Sequence, residues 1–216
     1  MSTSTATATP AFTSSVPTPG SIVPGSVADL ARQNGGRIAP PSVIIVFDHS
    51  GSTEEMDARL LDGSRASRWS AGCEQLALIQ ARMPGKIAVL AFADVVTPCP
   101  GGVPPEPTGF TDLALALRMA RQADTGAVRF VVISDGQPND KGTALDLARA
   151  FVGQIDAVLV GEGAAWEREQ SANFMQELAL VGRGTFTRDA SGMRHLGEAV
   201  LKMLGSGDGA GAIIPV

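Results

Sequence analysis

Asp48, Ser50 and Ser52 occupy every second position of the string Asp48-His49-Ser50-Gly51-Ser52. Two further oxygen-rich points come later, Thr111-Asp112 after a Gly/Pro-rich stretch and Asp135-Gly136 after an apolar run. Carboxylates and hydroxyls form the donor set of a hard divalent cation, which Mg²⁺ takes up in a near-octahedral shell at about 2.0–2.1 Å. Two residues apart in an extended loop, Ser50 and Ser52 can turn their hydroxyls to the same side, and Gly51 lets the backbone between them bend tightly. No His or Cys cluster competes, which argues against zinc. Brought together with nothing between them, Asp48 and Asp135 would repel and raise one another's pKa, and a bound cation removes that conflict.

Positioning these groups requires a scaffold, and the sequence supplies an alternation of strand and helix signals. Continuous apolar runs at residues 42–47, 86–92, 128–134 and 155–160 read as strands buried on both faces, with a short edge strand at 95–97 and a last one at 184–187. Between them, residues 65–83, 111–123, 143–152, 167–181 and 192–204 carry helical spacing. The alternation predicts an α/β fold: a Rossmann-like, doubly wound, mainly parallel sheet with helices on both faces. Sites in such folds form beyond the carboxyl ends of the strands, where the strand order reverses. Asp48 and Asp135 each directly follow a strand, so they meet if those two strands are sheet neighbours.

Composition bounds the rest. With 216 residues, 44% of them apolar and 18% charged, the chain is long enough for a globular core. Residues 1–41 open with a stretch dominated by Ser, Thr and Pro and read as a flexible tail or assembly arm, residues 42–204 as the domain, and residues 205–216 as a Gly-rich tail ending in Ile213-Ile214-Pro215-Val216. The net charge of −5 gives no electrostatic reason to expect nucleic acid or an anionic membrane as partner. Neither a signal peptide nor an apolar span is evident, and Cys73 and Cys99 read as free thiols of a reducing compartment, so a cytoplasmic location is expected.

The string DHSGS, followed by TD and then SDG, resembles the metal-ion-dependent adhesion site of von Willebrand factor A (vWA) domains, whose pattern is Asp-x-Ser-x-Ser, a distant Thr and a distant Asp. The match falls on Asp48, Ser50, Ser52, Thr111 and Asp135, and the order of strands agrees over residues 42–204. Two features depart from the family: Gly109-Phe110-Thr111 stands where Gly-Gly-Thr is common, and residues 53–64 form a longer, more acidic approach to the first helix. The resemblance implies five protein ligands around Mg²⁺, or Mn²⁺ or Ca²⁺, with one coordination position left for an acidic side chain of a protein partner. It implies a non-catalytic binding module, an adaptor or assembly subunit; related bacterial domains often accompany AAA+ ATPases. His49, Phe110 and Trp166 are candidates for partner contact, and Asp112 for a helix-start charge.

Two other functions are compatible with the residues. A structural subunit would use the tails as assembly arms. An Mg²⁺-dependent phosphoryl-transfer enzyme would also place a strand-end Asp beside a hydroxyl-rich loop, but Ser50 stands where haloacid-dehalogenase-like phosphatases carry their second Asp, and a Walker A loop is lacking.

Overall fold

The computed structural model describes residues 16–161, 165–188 and 195–205. In chain order the elements are α1 (Val27–Gln33), β1 (Val43–Asp48), β2 (Ala58–Arg59), β3 (Arg65–Ala66), α2 (Arg68–Arg82), β4 (Ile87–Phe92), β5 (Val96–Pro98), α3 (Leu113–Ala120), β6 (Arg129–Ser134), α4 (Lys141–Arg149), β7 (Ile155–Leu159), α5 (Ala165–Val181), β8 (Arg183–Arg188) and α6 (Leu196–Gly205). The main sheet has the order β5-β4-β1-β6-β7-β8. All its pairings are parallel except that of β4 with the edge strand β5. The expected α/β, doubly wound, mainly parallel architecture is therefore the one observed.

Alternate residues of each central strand feed two cores. Ile45, Phe47, Val89, Val131 and Ile133 pack with Trp69, Leu76 and Ile79 of α2 and with Leu196 and Val200 of α6. Ile44, Val46, Phe92, Phe130 and Val132 pack with Leu113 and Leu117 of α3, Leu145 of α4, and Met175 and Leu178 of α5. Both faces of the sheet are thus covered, which is why its central strands are continuous apolar runs rather than alternating. From β1 the chain winds first to β4 and later, on the other side, to β6, so the strand order reverses between β1 and β6. In α/β sheets such a reversal is where sites form, beyond the carboxyl ends of the two strands that flank it.

Two segments differ from the sequence expectation. The helix anticipated from residue 65 begins at Arg68, capped by Ser67, whose side chain accepts from the Ser70 N–H. Arg65 and Ala66 instead pair antiparallel with Ala58 and Arg59 in a small hairpin. The second difference lies in the tail read from composition up to residue 41: from Val16 onward much of it lies on the domain. Val23 is buried and its N–H donates to the Gly101 carbonyl, Ala28 N–H donates to the Pro100 carbonyl, and Gly85 N–H donates to the Gly25 carbonyl. A few apolar contacts and satisfied backbone groups suffice to dock a Ser/Pro-rich strap that lacks a periodic pattern of its own. The C-terminal Ile213–Val216 group lies outside the described residues. Cys73 and Cys99 are free and buried, and among the described residues no helix is long and apolar enough to cross a membrane.

Candidate metal centre

Asp48 ends β1, and its register places it opposite Phe92 on one side and one step beyond the Phe47–Ile133 pair on the other. That step brings Ser134, the last residue of β6, beside it: Ser134 Oγ donates to Asp48 Oδ2 at 2.6 Å. The other carboxylate oxygen accepts from the Ser50 N–H at 2.9 Å, closing a turn over His49. Ser50 Oγ lies 3.2 Å from Ser52 Oγ, and Ser52 Oγ donates to Asp135 Oδ2 at 2.5 Å. Asp48, Ser50, Ser52 and Asp135 therefore form one connected set of oxygens at the strand-order reversal. Thr53 Oγ1 donates to the Ser50 carbonyl at 2.7 Å, locking the short 3-10 turn Gly51–Glu54 that carries Ser52.

Thr111 reaches the same edge on the loop before α3. That loop is bound on several sides: Gly51 N–H donates to the Gly109 carbonyl, Asp112 N–H to the Ala93 carbonyl, and Asn139 N–H to the Thr111 carbonyl. Thr111 itself is buried. At Gly109 the backbone adopts φ +61°, and a Cβ there would stand 2.4 Å from Asp94 Oδ1, so the loop tolerates glycine alone at this point. Asp112 caps α3 by accepting from the Leu115 N–H at 2.9 Å, the helix-start role its position implied.

Electrostatics mark Asp48 as the strained member. Burial pushes its carboxyl pKa up to about 6, the negative charge of Asp135 adds to the rise, and hydrogen bonds from Ser134 and Ser50 only partly offset it. Two buried carboxylates with hydroxyls between them, held by the backbone of three separate loops, fit a hard cation by donor type. Among the described residues no group of three or more His, Cys, Asp or Glu side chains is placed to hold a metal, so any cation here depends on the serine and threonine hydroxyls as well as the two carboxylates.

The expected contact residues separate into two groups. Phe110 and Trp166 are 72% and 63% exposed. His49 does not share that face: it is 2% exposed, and its Nδ1–H donates to the Glu106 carbonyl at 3.1 Å. Burial holds its pKa below the ordinary imidazole value. The variable position of the string points into the protein, where the imidazole braces the loop at 104–108 together with Trp69, whose Nε1–H donates to the Pro105 carbonyl at 2.6 Å.

Compared by sequence, the chain matches no protein-family model and no curated protein. Among solved structures it is similar to manganese-loaded TRAP protein of Plasmodium vivax, at 15% identity and a TM-score of 0.48, over 75% of this chain and 71% of that one. It is also similar to an uncharacterised membrane-spanning protein of Vibrio fischeri, at 17% identity and a TM-score of 0.32, over 76% of this chain and 98% of that one.

Two groups beside the candidate ligands were not legible from residue types. Ser134, one position before the expected ligand Asp135, bonds Asp48 directly; aligning the ends of β1 and β6 would have found it. Arg68 is the other. Its side chain is 5% exposed and ion-paired to Glu55, to Asp57 at 2.5 Å and to Asp135 at 3.7 Å. Glu55 and Asp57, in the acidic approach to the first long helix, are thus partnered by an arginine.

Proposed function

We propose that this chain is a non-catalytic protein-binding module of the vWA type, in which Asp48, Ser50, Ser52, Thr111 and Asp135 hold a divalent cation at the carboxyl edge of the sheet. Mg²⁺ is the expected ion, with Mn²⁺ and Ca²⁺ compatible with the same oxygens. The reading rests on one observation above the others: Asp48 and Asp135, 87 positions apart by their numbers, are joined through Ser50 and Ser52 at the reversal between β1 and β6. The bound cation would supply an open coordination position for an acidic side chain of a partner. Asp48 and Asp135 provide the charge, Ser50 and Ser52 neutral oxygens, and Thr111 a hydroxyl on an independently fixed loop. Phe110 and Trp166 offer exposed aromatic surface, the residue type that anchors interfaces. A non-catalytic role is supported by the inward placement of His49, which removes the nearest imidazole from general-base duty.

The test is chelation. The immobilised chain should retain a partner protein in Mg²⁺ and release it in EDTA, and Asp48→Ala should retain none while its circular dichroism matches the parent. Retention that is unchanged in EDTA would exclude the cation-bridged mode. A phosphatase screen of the Mg²⁺-loaded chain should give no turnover above that of Asp48→Ala; turnover lost in that variant would move the assignment to phosphoryl transfer.

A further inference from the structure

Arg68 is the first residue of α2, a place where a positive charge faces the positive end of the helix dipole. Helix stability therefore gives no reason for an arginine here. Its surroundings do. Nε donates to Asp57 Oδ1 at 2.8 Å and one terminal nitrogen to Asp57 Oδ2 at 2.5 Å, while the same nitrogen bonds Glu55. The other terminal nitrogen lies 3.7 Å from Asp135 Oδ2, the oxygen that accepts from Ser52. Burial opposes the charge, but Asp57, Glu55 and Asp135 together hold the guanidinium more firmly protonated than a free one.

The fold makes room for it. Gly161, just past β7, adopts φ +90°, and a Cβ there would stand 2.6 Å from Arg68 Cζ. The guanidinium thus occupies the space of a side chain at 161, wedged between the Glu55–Asp57 segment that leads into the hairpin and the tip of the sheet. Next to it is a cavity of about 20 Å³ lined by Arg68, Asp135, Gly161 and Ser171, room for about one water. A buried charge persists only where it is paired, and this one is paired with a candidate metal ligand and with the acidic loop that sets the chain apart from the vWA pattern.

We propose that Arg68 is a built-in counter-cation of the carboxylate edge: it neutralises Asp135 when no divalent ion is bound and opposes the ion when one is, so that metal affinity is set low and linked to the Glu55–Asp57 loop. The proposal rests on the metal reading given above. Arg68 is a positioning residue and not a ligand. Its effect is Coulombic, since a unit charge a few ångströms from a divalent ion changes affinity about tenfold or more even under strong screening. The fixed fork of arginine, bonded to Asp57, keeps that charge from swinging aside as metal enters.

The experiment uses the full chain and Mn²⁺ alone as probe, with calorimetric titration and the thermal midpoint in EDTA as separate readouts. Arg68→Gln should lower the EDTA midpoint and bind Mn²⁺ at least about tenfold more tightly than the parent. Arg68→Lys keeps the charge and should bind within about threefold of the parent. Affinity in Arg68→Gln equal to or weaker than the parent overturns the counter-cation while leaving the metal site standing. Equal tightening in both variants also overturns it, since packing and not charge would then be the cause. Where Arg68→Gln does not fold, Arg68→Lys decides alone, and a clear gain in affinity there refutes the proposal. A parent chain that binds no Mn²⁺ defeats the metal reading in its own titration, and the counter-cation with it.

Discussion

Ser52 Oγ lies 2.5 Å from Asp135 Oδ2, a hydrogen bond across 83 residues of sequence that fastens the loop after β1 to the tip of β6. A neutral hydroxyl donating to a carboxylate gives a stronger bond than a neutral pair, about 1.5–3 kcal/mol where it is shielded. Ser52 is only partly buried, so a value below that range, about 1 kcal/mol, applies to folding. On the proposed metal reading its larger effect is on the cation, for which the hydroxyl would be both a ligand and the link that holds Asp135 in place. Ser52→Ala should cost about 1 kcal/mol of stability in EDTA yet weaken Mn²⁺ binding at least about tenfold by titration calorimetry. An affinity loss no greater than the stability loss would make Ser52 a structural linker only.

Asp48 gives the chain a pH signature. Its carboxyl pKa is raised from 3.8 to about 6 by burial and by Asp135, so the folded state favours the protonated acid. The stabilisation this confers is complete below the unfolded value and is lost as pH climbs through about 6, where the buried carboxylate is left charged. The displacement corresponds to about 3 kcal/mol. Without metal, urea midpoints of the parent should fall between pH 4 and 6 relative to those of Asp48→Asn, which does not titrate there. His49, buried and neutral, acts in the opposite direction as pH falls, but it is common to both proteins and cancels in the difference. With Mn²⁺ the trend should reverse, because the ion binds the carboxylate form. Parallel pH curves for parent and variant in EDTA would show that Asp48 titrates normally.

How much of this could be seen in the residues alone follows from which interactions are periodic. The central strands are apolar along their whole length because both faces are covered, and a run such as Val43–Phe47 announces that without any partner being known. Asp48 and Asp135 could be placed at strand ends for the same reason, and their meeting followed once β1 and β6 proved adjacent. Arg68 was hidden because its role depends on three carboxylates contributed by two other segments, and neither its spacing nor its helix position advertises them. The hairpin of β2 and β3 was hidden because strands of two residues carry no period. His49 was misplaced because the exposure of a loop residue depends on what folds over it, here the backbone near Glu106.

The strap from Val16 to Gln33 is the fourth case and the most directly testable. Composition reads it as a flexible tail or assembly arm, since Ser and Pro bury little and order at an entropic cost. Its contacts say otherwise. Val23 is 5% exposed within the core cluster that includes Trp69 and Leu76, and burying a valine contributes about 1.5–3 kcal/mol. Gly25 passes so close to α2 that a Cβ would stand 2.2 Å from the Gln80 carbonyl. Gln80 itself is buried and donates to the carbonyls of Leu76 and Gly102, at 3.0 Å each. Three backbone hydrogen bonds tie the strap to Gly85, Pro100 and Gly101, and removing it would open these groups to water and uncover the apolar residues beneath. Deleting residues 1–33 should therefore lower stability by at least about 2 kcal/mol in urea unfolding. The loss should appear without metal and with it, because the strap lies at the loops around Gly85 and Gly101 and supplies none of the candidate ligands. A truncated chain as stable as the parent would return this segment to the status of a tail.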